Sequence, residues 1–109
     1  MKTEQELKEI KTSLAASYTP IYTIEVPLDE DELEYATIFL KKYDRIVLSA
    51  LQKLVTGPDP LKAIEFYIKN CYLGGDDINL ILNNLDALRA CEGVVVDMIT
   101  AKKAKLSKN

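Results

Sequence analysis

Six carboxylates and no base fall in the ten residues from Glu25 to Glu34: Glu25, Asp29, Glu30, Asp31, Glu32 and Glu34. Carboxylates gathered this tightly could divide a proton for acid and base work or hold a divalent cation, but either chemistry needs further ligands converging from elsewhere. No spacing in the chain supplies them. A second acidic run, Gly74-Gly75-Asp76-Asp77, resembles the metal-binding turns of polymerases and nucleotide cyclases, yet 109 residues are too few for either catalytic domain. Asn79, Asn83, Asn84 and Asp86 do not complete an EF-hand loop, whose glycine and closing Glu are missing.

The other reactive types are scarce. Cys71 and Cys91 are the only cysteines, both in apolar surroundings. They could close one disulfide, but with no secretory leader in view buried thiols are the expected state. The chain contains no histidine. That removes His-assisted Ser or Cys nucleophiles, the commonest general base and most zinc and iron sites. The expectation is a protein with no catalytic residues, no cofactor and no metal.

The elements that carry these residues read as mostly helical. Thr3 to Ser17 is an amphipathic helix in which Leu7, Ile10 and Leu14 recur at helical steps among charged neighbours. Its stripe is narrow enough to dock on its own domain or on a second chain. Tyr18 to Pro27 alternates Tyr22, Ile24 and Val26 against Thr23 and Glu25, the pattern of one short strand. Its one internal partner would be Val94 to Val96, which reads better as helix. The strand is therefore expected to be an extended connector or an edge for another chain.

Beyond it the acidic cluster predicts a helix N-terminus, started by Asp29 or Asp31, with Leu33, Ala36, Thr37 and Leu40 as its stripe and its end near Lys42. Asp44 then caps a second helix, Ile46 to Val55, that stops at Gly57. Residues 60–73 are apolar on nearly every face between Asp59-Pro60 and Gly74-Gly75, which predicts a central rod wrapped by the other helices. Ile78 to Leu82 forms one helical turn broken at Asn83-Asn84. The last helix runs from about Leu85 to Leu106 with Leu88, Cys91, Val95, Met98 or Ile99, and Ala101 facing inward. Lys102, Lys103, Lys105 and Lys108 close the chain, where they suit a helix C-terminus or match the acidic cluster of a neighbouring subunit. The fold expected is all-α: about five helices with a short extended segment near residues 20–26, divided as an N-terminal helix (1–17), a connector (18–27) and a helical domain (28–109).

Composition narrows the function classes. A net charge of −3 argues against nucleic-acid binding, which draws its affinity from clustered Lys and Arg. No apolar run approaches the roughly 18 residues that span a bilayer, and the first residues carry no secretory pattern. Residence in the cytoplasm, without a membrane or small-molecule partner, is the expectation.

Four segments carry a family likeness: Glu-Val-Pro-Leu-Asp-Glu-Asp-Glu-Leu-Glu from Glu25, Ile-Phe-Leu-Lys-Lys-Tyr-Asp-Arg from Ile38, Asp-Pro-Leu-Lys-Ala-Ile-Glu from Asp59, and Asn-Cys-Tyr-Leu-Gly-Gly-Asp-Asp from Asn70. In this order they resemble small virion-assembly proteins of tailed bacteriophages, particularly of Bacteroidetes hosts, that are similar to tail assembly chaperones encoded near the tape-measure protein. The likeness spans roughly Thr23 to Lys105; at Tyr43 the family often has proline. It implies a non-enzymatic, oligomeric helical protein that binds a tail or tape-measure protein in the host cytoplasm, or a stoichiometric ring, connector or tail subunit kept in the virion. An assembly protein needs an exposed apolar stripe or an open strand edge. Leu7, Ile10, Leu14, Tyr22, Ile24 and Val26 are the expected protein contacts.

Overall fold

Thr3 begins the first helix by local bonding: its hydroxyl accepts the N–H of Glu6 at 3.2 Å, and the Glu6 carboxylate accepts the N–H of Thr3 at 3.3 Å. This reciprocal cap satisfies two donors that a helix start leaves open. A computed structural model of the chain, which describes residues 1–100, places α1 at Glu4–Ala15, followed by β1 (Ile21–Pro27) and β2 (Tyr35–Lys41). Then come α2 (Arg45–Val55), α3 (Leu61–Cys71), β3 (Tyr72–Gly75), α4 (Asn79–Leu82) and α5 (Leu85–Ile99).

The fold is therefore α+β, with five helices and a three-stranded antiparallel sheet ordered β1-β2-β3 among the described residues, and the expected all-α class is wrong. The error lies in two segments. Residues from Tyr35 to Lys41 form a strand where the apolar stripe predicts a helix, and the acidic residues before it form the hairpin loop rather than a helix start. Leu33, Ala36, Thr37 and Leu40 do fit helical spacing, but Ala36, Ile38 and Leu40 alternate equally well. Pairing decides between the two periods: with Ile24 opposite Ile38 and Val26 opposite Ala36, the two strands bond their facing edges and bury one face together. This also supplies the partner that Ile21–Pro27 needs, while Val94 to Val96 lies within α5 as expected.

The second correction is at the central rod. Ala63, Ile64, Tyr67, Ile68 and Cys71 of α3 are all buried, so the rod is real. It stops at Cys71, however, because Tyr72 to Gly75 pairs with Ile38 to Leu40 as β3. The glycines expected to end a helix instead sit in a strand. Other local signals hold: Asp44 accepts the N–H of Val47 at 2.8 Å to start α2, and Asp59 accepts the N–H of Leu61 at 3.2 Å to start α3. Asn84 caps α5 by accepting the N–H groups of Asp86 and Ala87, and its amide donates to the Leu28 carbonyl at 3.0 Å. One residue thus starts a helix and ties it to the hairpin.

One sheet face carries Ile24, Val26, Ala36, Ile38 and Leu40, buried with α3, α5, Leu51 and Ile81 in a single core. The opposite face carries Thr23, Glu25, Tyr35, Thr37 and Phe39, and α1 lies over it at the β3 side. No residue of α1 is fully buried. Its half-covered Leu7, Ile10 and Leu14 should each contribute roughly 1 kcal/mol, against about 1.5–3 kcal/mol for a fully buried aliphatic side chain. The last helix, expected to run to about Leu106, stops at Ile99, after which Thr100 is extended; Ala101 and the closing lysines, expected to face inward and to end that helix, fall outside the described residues.

Candidate interaction surface

The acidic cluster is built as a turn. The Asp29 carboxylate accepts the N–H of Leu33 at 2.8 Å and of Glu34 at 3.4 Å, and Glu32 takes a positive φ of 55° to bring them round. Asp29 to Glu34 are all exposed to solvent, with Leu33 among them. Charges so placed are screened and shared with water rather than focused on an ion. Among the described residues no three His, Cys, Asp or Glu side chains come together to hold a metal.

The Gly74 to Asp77 run has a different purpose, and each residue in it a different one. Gly74 gives α1 its seat: a Cβ there would lie 3.1 Å from Ile10 Cγ2 and 3.4 Å from Leu14 Cδ1. Gly75 adopts φ 112°, and a Cβ would meet the Thr37 carbonyl oxygen at 2.5 Å. Asp76 is 2% exposed and fully engaged, one carboxylate oxygen accepting the N–H of Lys2 and the other that of Thr37, both at 2.8 Å. Its own N–H donates to the Thr37 carbonyl, so a side chain extends the β2–β3 ladder by one step. The Tyr72 hydroxyl donates to the carbonyl of Asp76 at 2.9 Å. Asp77 caps α4 through the N–H of Asn79. Asp76 is thus a clasp joining the chain start, β2 and β3, a role that sequence reading missed; the only signal was an Asp beyond a Gly pair.

The thiols are shielded. Cys71 and Cys91 are buried and unbonded to each other. Burial pushes the Cys91 thiol up from 9.0 to about 11, and burial also raises Cys71, with Lys41 pulling it down and Asp44 pushing it up in smaller measure. Tyr67 is likewise raised, by burial first and then by Cys71, Tyr22 and Tyr43, and its hydroxyl donates to the Lys41 carbonyl at 3.1 Å. A neutral buried thiol is a poor nucleophile and a poor ligand. A thiol reagent at about pH 8, just below the ordinary thiol value, is expected to leave both cysteines unlabelled until urea unfolds the chain. Because the folded state holds the Cys91 proton more tightly, its contribution is complete below 9.0 and is lost as pH rises through about 11. The urea midpoint should therefore fall more steeply over that window in the parent than in Cys91→Ala.

The six expected contact residues separate into two groups. Ile24 and Val26 are buried in the chain's own core, at 6% and 1% exposure, and Tyr22 packs half-buried against it. Their apolar surface is spent internally, since β2 turns that face inward. Leu7, Ile10 and Leu14 are half-buried, Ile10 and Leu14 over Gly74. Beside them α1 and the outer sheet face enclose an open groove of about 490 Å³. Glu4, Leu7, Lys8 and Lys11 form one wall, Thr23, Glu25 and Tyr35 the other, and Phe39, only 2% exposed, lies against it as well. The sequence reading does not place Tyr35, Thr37 and Phe39 at this groove, because only their strand period turns them to this side.

No family model matches the chain, and no curated protein or solved structure matches it either. None of the helices among the described residues is long and apolar enough to cross a membrane.

Proposed function

We propose that this protein is a non-enzymatic assembly factor of the tail assembly chaperone kind, holding a phage tail or tape-measure protein in the host cytoplasm. The observation that carries the reading is the groove between α1 and the outer sheet face. It offers Leu7 and Tyr35 as apolar lining, beside the buried Phe39, between an α1 wall of Glu4, Lys8 and Lys11 and the Glu25 carboxylate, which suits one turn after another of an amphipathic helix with charges of both signs on its flanks. Tyr35 stands 42% exposed there, an aromatic anchor not used by the chain's own core. The likeness of the four sequence segments to phage assembly proteins supports the same reading.

Co-expression with the tail and tape-measure proteins of the parent phage tests it. The partner is expected to stay soluble and co-purify, and Lys8→Glu combined with Lys11→Glu should weaken the complex at least about tenfold while leaving the melting temperature within a degree or two. Binding untouched by the double reversal would place the partner elsewhere. Finding the chain in stoichiometric amount in purified virions would favour the structural subunit instead.

A further inference from the structure

We propose that two copies of this chain join antiparallel along the outer edge of β1, centred on Ile24, so that their sheets become one. Such pairing does not depend on the assembly role. The phase of the ladder fixes which backbone groups of β1 are free. The N–H of Leu28 donates to the Glu34 carbonyl at 2.8 Å, and in an antiparallel pair bonded and non-bonded positions alternate. Counting back along the register, Val26, Ile24 and Tyr22 aim their N–H and C=O groups at β2, and Glu25, Thr23 and Ile21 aim theirs away. Thr37, opposite Glu25, turns its backbone to Asp76 on the β3 side, as that phase requires. Among the described residues nothing hydrogen-bonds to the outward groups of Ile21, Thr23 or Glu25.

The register selects the occupant. An axis through Ile24 sets Thr23 opposite Glu25 of the copy, where each pair can exchange both backbone bonds. Ile21 then meets Pro27, whose carbonyl accepts while its missing N–H falls at the end of the ladder. An axis through Glu25 would oppose two like charges, and one through Thr23 would leave Pro27 unmatched. Glu25 and Pro27, features that discourage indiscriminate pairing at an edge, are both accommodated by the chain's own sequence running the other way. The groove that Thr23 lines carries Lys8 and Lys11 along with Glu4 and Glu25, so Glu25 of the copy arrives on the side that holds the two lysines. On the core face, α5 packs on β1 and leaves Val94 and Val96 about two-fifths exposed, at 42% and 40%.

Sedimentation of the full chain across a wide concentration range tests the pairing. The expected result is a monomer–dimer equilibrium. Thr23→Glu, which opposes two Glu pairs, should weaken it about tenfold, and Thr23→Lys should tighten it by a similar factor, because opposed cross-strand charges act in these directions. Both variants change an exposed side chain, and their unfolding curves confirm that the fold is kept. Register is read separately: Thr23→Cys chains mixed with Glu25→Cys chains should oxidise to a mixed disulfide dimer, which neither variant forms as readily alone. A monomer at every concentration, equal association of the two charge variants, or no preference for the mixed disulfide overturns the proposal.

Discussion

Gly75→Ala is expected to cost about 2–4 kcal/mol of stability, enough to lower the melting temperature by roughly 10–20 °C in a domain of this size. Two independent effects add at this position. The backbone stands at φ 112°, a region that L side chains rarely enter, and the added Cβ would lie 2.5 Å from the Thr37 carbonyl oxygen. That oxygen belongs to a strand bonded on both sides, so it cannot retreat without breaking the ladder. Gly93 gives the contrasting case. It lies in α5 with open space where a methyl group would project, nothing standing within 4 Å, so Gly93→Ala should stabilise by up to about 1 kcal/mol through helix propensity alone. Urea titrations of both variants check the sign as well as the size; a Gly75→Ala protein as stable as the parent would mean that β3 does not take this path.

The second large effect is expected at Asp76. Asp76→Ala leaves the N–H groups of Lys2 and Thr37 without the acceptors that now hold them at 2.8 Å. An orphaned buried donor costs about 1–3 kcal/mol, so the loss should reach roughly 2–4 kcal/mol, part of it recovered where water reaches Lys2. Asp76→Asn keeps the shape and one acceptor, and should lose about half as much. The spatial signature is more telling than the total. Because α1 is held by only three half-buried side chains and this clasp, its amides should exchange faster in Asp76→Ala than in the parent, while those of α3 change only in step with global stability. Unchanged protection across α1 would show that Leu7, Ile10 and Leu14 hold the helix unaided. The clasp also bears on the proposed groove, since α1 forms one of its walls.

Most of what could be read from the chain was local. Thr3, Asp44, Asp59 and Asn84 announce helix starts because a side-chain oxygen bonds an N–H two or three residues on, within one turn. The buried stripe of α3 and the alternation of β1 were legible for the same reason: period and cap are properties of a short window. The reading of Cys71 and Cys91 as buried thiols agrees with their places in the core.

Where the reading failed, two local patterns competed or the partner lay far along the chain. Tyr35 to Lys41 satisfies a helical stripe and a strand alternation at once, and the acidic residues before it suit a helix start as well as a turn. The tie is broken by Ile21–Pro27 bonding alongside it. The same dependence on distant residues governs Asp76, whose partners are 74 and 39 residues away, and Gly75, whose need to be glycine comes from Thr37. The amino-acid order by itself determined the helix caps, the central apolar rod and one strand, since each is set by contacts within a few residues. The hairpin, the third strand, the inward turn of Ile24 and Val26, and the groove under α1 were decided only by tertiary structure, because a strand has no hydrogen-bonded partner, and so no fixed face, until another part of the chain pairs with it.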